Sequence, residues 1–177
     1  MRFDLAYLVT GIPGAGKTTV SRALALRLPR AAHIEADLLQ EMIVSGGRWP
    51  RPEPDDEADA QLRLRARNAA MLANSFAAEG FVPVIDDVVI GPRRLALYQE
   101  ALEVPTLHVI VLAPPLEVAL ARDEARGYKR VGATWAHLDA HQRRELAGIG
   151  VWIDTAELGV VETVDEIMVR TESRVDG

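Results

Sequence analysis

A chain of 177 residues with 49% hydrophobic and 26% charged side chains has the size of one domain and the balance of a globular one. Its 20 basic and 26 acidic residues leave a net charge of −6, which argues against duplex DNA or an anionic membrane as the main partner. Cysteine is absent, excluding disulfides, zinc–thiolate sites and a cysteine nucleophile. No apolar run approaches the roughly 20 residues of a membrane span, and Met1-Arg2-Phe3-Asp4 opens no signal-peptide pattern. A single cytoplasmic domain is the expectation.

Residues 5–10 are almost wholly apolar, as in a strand buried on both faces. Gly11-Ile-Pro-Gly-Ala-Gly-Lys-Thr-Thr19 follows at once and fits G-x-x-x-x-G-K-[ST]. Val20, Ala23, Leu24 and Leu28 then recur at helical spacing until Pro29. The loop thus sits between a strand and a helix, the context the motif needs. Gly11, Gly14 and Gly16 let the backbone curl so that the N–H groups from Ala15 to Thr19 point at phosphate oxygens. The helix N-terminus adds its partial positive charge there. Lys17 can reach the β- and γ-phosphates of ATP, and the Thr18 hydroxyl can ligate Mg²⁺.

Strand and helix alternate onward: a strand at 32–35, a helix at 37–44, a Gly/Pro-rich excursion at 46–54, and a long helix at 55–79. That helix places Leu62, Ala66, Ala69, Ala73 and Phe76 on one face. A strand at 81–87, a helix at 92–102, a strand at 106–113 and a helix at 115–126 follow. A loop at 127–132 precedes a helix at 134–147, a strand at 151–154 and a last helix at 161–171. Such alternation implies a parallel sheet covered by helices on both faces.

Several side chains then stand out. Asp37 follows the second strand, at the sheet edge where α/β folds hold ligands; it reads as a general base for an acceptor hydroxyl, or else as the cap of the following helix. Asp86 and Asp87 end the third strand in a Walker-B-like arrangement, and one of them is expected to hold Mg²⁺. Adjacent side chains on a strand point to opposite faces, so only one can face the metal. Arg122, Arg126, Lys129 and Arg130 cluster near the 127–132 loop, where arginine forks suit phosphate oxygens, although cations also favour helix C-termini. His137 and His141 have a metal-binding spacing but lack a third ligand, and a polar helix face is the expected reading. Trp49 and Trp135 are candidates for the wall of an acceptor pocket, and Trp152 for the core.

Residues 11–18, Ala36-Asp-Leu-Leu39, Val84-Ile-Asp-Asp-Val-Val-Ile-Gly91, Arg122-Asp-Glu-Ala-Arg-Gly127 and Ile153-Asp-Thr155 together resemble the P-loop small-molecule kinases of the nucleoside-monophosphate-kinase-like fold. Within that group the chain is most similar to the chloramphenicol phosphotransferase-like proteins, relatives of polynucleotide kinase, gluconate kinase and zeta toxin. The resemblance implies a five-stranded parallel sheet in the order 2-3-1-4-5 and ATP- and Mg²⁺-dependent phosphorylation of a small-molecule hydroxyl. It also implies Asp37 as the base, assisted by Lys17, and a lid at about 122–133 whose Arg122, Arg126 and Arg130 close over ATP. Residues 38–80 would hold the acceptor excursion, and the chain would act as a monomer or homodimer. Gln40 stands where polynucleotide kinase carries an arginine that grips an acceptor phosphate, so a phosphorylated or nucleic-acid acceptor is not expected. The competing readings are a regulatory P-loop ATPase or nucleotide switch and a zeta-toxin-like kinase of a nucleotide sugar. A GTPase would need an Asn-Lys-x-Asp segment, which the chain lacks; a ring ATPase would need a larger module.

Overall fold

The computed structural model describes residues 4–125 and 131–172. Five parallel strands, β1 (Leu5–Thr10), β2 (Ala31–Glu35), β3 (Val82–Asp86), β4 (Thr106–Leu112) and β5 (Val151–Ile153), form one sheet in the order β2-β3-β1-β4-β5. This is the order implied by the resemblance. Between the strands run α1 (Lys17–Arg27), α2 (Ala36–Glu41), α3 (Asp56–Ala78), α4 (Pro92–Ala101), α5 (Leu116–Ala125), α6 (Gly132–Trp135) and α7 (Leu138–Glu145), and α8 (Val160–Glu172) follows β5.

The two-residue period of a strand divides the core in two. Tyr7, Val9, Val82, Val84, Ile110 and Leu112 pack with Val20 and Leu24 of α1 and Ile167 of α8. Leu8, Ile85, Val109 and Val111 face the other way, against Ala66, Ala69 and Ala73 of α3 and Leu95 and Tyr98 of α4. The nucleotide-loop helix and the long helix therefore cover opposite faces of the sheet.

Two local expectations change. The 134–147 helix breaks into α6 and α7, because the chain tightens between them: the Asp139 amide donates to the Ala136 carbonyl, an i→i−3 bond. Phe76 does not share the burial of Leu62, Ala66, Ala69 and Ala73; it is 39% exposed, edge-on to Phe81 with ring centroids 6.1 Å apart. Trp152 lies partly buried against the second apolar layer, as expected of a core residue. No helix among the described residues is long and apolar enough to cross a membrane.

Candidate active site

The 11–16 loop turns on glycine geometry at two points. Gly14 has φ +82°, and a Cβ there would stand 2.0 Å from the Ala119 carbonyl oxygen of α5, so only a bare backbone fits. Gly16, at φ 95°, is the left-handed N-cap of α1. The turn is closed by the Ala15 amide donating to the Ile12 carbonyl at 3.1 Å, and Lys17 Nζ donates to the same carbonyl at 3.2 Å.

Asp86 and Asp87 part ways at the end of β3. Asp86 shares the α1 face with Val82 and Val84, and its Oδ1 accepts the Thr18 hydroxyl at 3.3 Å. Its Oδ2 lies 2.5 Å from His33 Nε2 on β2. A hydroxyl and a carboxylate side by side, oriented by a third group, form the hard-oxygen set that suits Mg²⁺. Asp87 turns to the α3–α4 face instead. Arg65 and the Val88 amide donate to its Oδ1, and the Tyr98 hydroxyl donates to its Oδ2 at 2.8 Å. With both oxygens engaged away from Thr18, Asp87 does not join the metal-side donors. Burial, and then the neighbouring Asp87 carboxylate, push the Tyr98 phenol well above its usual range, so it stays a donor.

Arg65 was not singled out in the sequence. It is 5% exposed and spans two acids, donating through Nη1 to Asp37 Oδ1 at 3.0 Å and through Nη2 to Asp87. A readable signal existed: Arg65 falls on the apolar stripe of α3, between Leu62 and Ala69, and a cation there needs partners. Asp37 is the second residue of α2, whose N-cap is Glu35. The helix-cap alternative for Asp37 is thereby removed.

Asp37, Arg65 and the loop residue Pro13 border a cavity of about 1050 Å³, with both Trp49 and Trp135 on its wall. Two glutamines hold the 46–54 excursion against it. Gln40 Nε2 donates to the Arg48 carbonyl at 3.0 Å and to Gln61 Oε1 at 3.1 Å, and Gln61 binds the Arg48 amide and the Gly46 carbonyl. Gln40 is therefore a buried clamp. Gln142 of α7 similarly ties the Val89 carbonyl at 2.7 Å, fixing the segment after β3.

The arginine cluster is only partly on view. Arg122 Nη1 and Nη2 donate to the Thr155 hydroxyl at 3.0 Å and the Thr155 carbonyl at 2.7 Å, anchoring α5 to the turn after β5. Arg126, Lys129 and Arg130 lie outside the described residues. His137 and His141 do not converge: the His137 ring packs 5.8 Å from Trp135, and His141 Nδ1 lies 2.8 Å from Arg144 Nη2.

A phosphate loop between β1 and α1, an acid at the end of the neighbouring strand and a 2-3-1-4-5 sheet define the P-loop NTPase fold. Within it the chain belongs to the family described as an AAA domain, whose model matches residues 8–146. It is 28% identical over 126 residues to the adenylyl-sulfate kinase of Chloroflexus aurantiacus, an alignment covering 69% of this chain and 62% of that protein's length. Its fold matches a gluconokinase from Sinorhizobium meliloti 1021, with TM-score 0.67 and 20% identity, covering 96% of this chain and 92% of that one. The Deinococcus radiodurans tunicamycin resistance protein gives TM-score 0.65 and 22% identity, with 94% of each chain covered. The likeness to P-loop small-molecule kinases read from the motifs holds.

Proposed function

We propose that this protein transfers the γ-phosphoryl group of ATP to a hydroxyl of a small molecule in the cytoplasm. The observation that carries the reading is the cavity of about 1050 Å³ between the phosphate loop and the α2–α3 layer, with the Asp37 carboxylate on its wall. A nucleotide switch or a regulatory ATPase has no use for a tryptophan-bearing cavity of this size next to its phosphate loop.

In this reading the N–H groups from Gly16 to Thr19 and the Lys17 ammonium hold the triphosphate, and the helix dipole of α1 favours its charge. Thr18 and Asp86 would hold Mg²⁺, which would supply positive charge to offset that on the phosphates. Asp37, oriented by Arg65, takes the proton of the acceptor hydroxyl as its oxygen bonds to the γ-phosphorus. The bond from that phosphorus to the bridging oxygen breaks, and ADP leaves. Arg126 and Arg130 would complete the lid over the nucleotide, and Arg122 would join them only by giving up its two bonds to Thr155.

A screen of hydroxyl-bearing metabolites and antibiotics for ATP-dependent mass gain tests the proposal. One phosphoryl group added to an acceptor, with ADP formed in equal amount, is the expected result. ADP released with every candidate acceptor unchanged would overturn it in favour of a plain ATPase.

A further inference from the structure

Two guanidiniums on the cavity wall keep a buried nitrogen without a hydrogen-bond partner among the described residues, Arg65 at Nε and Arg94 at Nη1. Arg94, in the first turn of α4, lines the cavity, and its Nη1 is buried without a hydrogen-bond partner among the described residues. Arg65 differs in that its charge is already matched: its two terminal nitrogens are committed to Asp37 and Asp87, and only Nε is left over. The acids that act on Arg94 from nearby are Asp87 and Asp59. Asp87 already accepts from Arg65, Val88 and Tyr98, and Asp59 is solvent-exposed. Burial, and the neighbouring Arg65 cation, lower the affinity of the Arg94 guanidinium for its proton, and Asp87 and Asp59 oppose them. A desolvated guanidinium with a free donor most favourably meets a planar oxyanion.

We propose that Arg94 is a specificity-determining residue for the acceptor and selects a hydroxyl compound bearing a carboxylate or similar oxyanion. The inference rests on the acceptor-cavity reading above. Trp49, Trp135, Leu62 and Val88 supply apolar wall to the same space, so the body of the acceptor is apolar and at least partly flat. The volume, about 1050 Å³, lies just above the ~300–1000 Å³ usual for drug-sized ligands. A small polyhydroxy acid would leave most of it unfilled. The arginine missing at position 40 is thus replaced functionally from α4, so the glutamine there does not exclude an anionic acceptor.

The test is calorimetric binding of a panel of hydroxyl-bearing aromatic carboxylates, each paired with its own amide, to wild type, Arg94→Met and Arg94→Lys. Methionine keeps the bulk without the charge, and lysine keeps the charge without the fork. Wild type should favour carboxylates over their amides by about tenfold or more, as a charge-assisted hydrogen bond implies. Methionine should abolish that preference, and lysine should restore part of it. Equal affinity for both members of each pair, failure of every carboxylate to bind, or a preference that survives in Arg94→Met would overturn the assignment. Phosphorylation is read separately by mass. A carboxylate bound through Arg94 yet never phosphorylated would count against the transferase reading and leave the Arg94 assignment standing. Phosphorylation of a neutral acceptor at equal rates by wild type and Arg94→Met would do the reverse.

Discussion

Arg65 of α3 donates through Nη1 to Asp37 Oδ1 of α2 at 3.0 Å, joining the cavity wall to the buried acid at the end of β3 through a single side chain. The pairing is asymmetric. The Asp37 side chain is 37% exposed and could be solvated without help, whereas the Asp87 side chain has no exposure at all. Arg65 is therefore the charge that allows Asp87 to be buried.

Arg65→Met should accordingly destabilise the fold by about 3–5 kcal/mol, the usual consequence of stranding a buried partner charge. Pairing it with Asp87→Asn should recover part of the loss, because the stranded charge is then gone. Denaturant melts of the two single variants and the double variant measure this coupling. Strict additivity would show that the two side chains do not depend on one another.

Tyr98 gives the network a pH limit. Burial and the adjacent Asp87 carboxylate raise its phenol above the ordinary value of about 10. An unfolded chain releases that proton near pH 10 while the folded one retains it. The contribution is therefore complete below pH 10 and is lost as the pH rises through the folded value. Tyr98→Phe should cost about 1.5–3 kcal/mol at neutral pH, the worth of a hydrogen bond to a charged group. It should also flatten the alkaline limb of the stability curve. Some slope should persist, since burial raises the Tyr7 phenol as well. Urea melts from pH 7 to pH 11 check both parts.

The phosphate loop, the strand–helix alternation and the candidate base were legible because each depends on local pattern: glycine spacing, apolar runs, and an acid directly after a strand. The sheet order came only from the family resemblance, since strand neighbours are set by contacts far apart in the chain. The choice between Asp86 and Asp87 was not. Alternation along β3 says that they diverge, but strands buried on both faces are apolar on both, so the sequence does not show which face α1 covers. Arg65 was visible as a cation on an apolar stripe, yet its partners lie 28 and 22 residues away on other elements. Arg94 carried no periodic signal of its own. The glutamine clamp was hidden for a related reason, since Gln40 and Gln61 meet only once α2 and α3 have packed.

Lys17→Ala and Thr18→Ala should each weaken ATP·Mg²⁺ binding severely while leaving the melting temperature close to wild type. Both residues open α1 with their polar atoms toward the loop and Asp86, and the helix is held in the core by Val20 and Leu24 instead. Thr18→Ala should show its larger loss in magnesium affinity, because it removes one of the two oxygens offered to the metal. Calorimetry with ATP at several magnesium concentrations separates the two effects. Unchanged affinity in both variants would take the loop out of the mechanism.

The sharpest expectation concerns Asp37. An alcohol is scarcely ionised near neutral pH, so its attack on phosphorus gains from a base that accepts the proton in the transition state, typically by about 10²–10⁴-fold. Asp37→Asn keeps the size of the side chain and an oxygen able to accept from Arg65 Nη1, but the amide cannot take up the proton. Stability should change little, because the Asp37 side chain is over one-third exposed and Arg65 retains its buried partner Asp87. ATP affinity should persist, since the proposed triphosphate site is the phosphate loop and does not include Asp37. Phosphoryl transfer should fall by about 10²-fold or more, in kcat rather than in KM, as befits a contribution made in the transition state. A capping role would have predicted survival of activity, asparagine being as good a cap as aspartate; the start of α2 at Ala36 already places Asp37 beyond that position. Single-turnover transfer by Asp37→Asn within a few-fold of wild type would remove it as the base, and the role would then have to pass to another carboxylate facing the cavity.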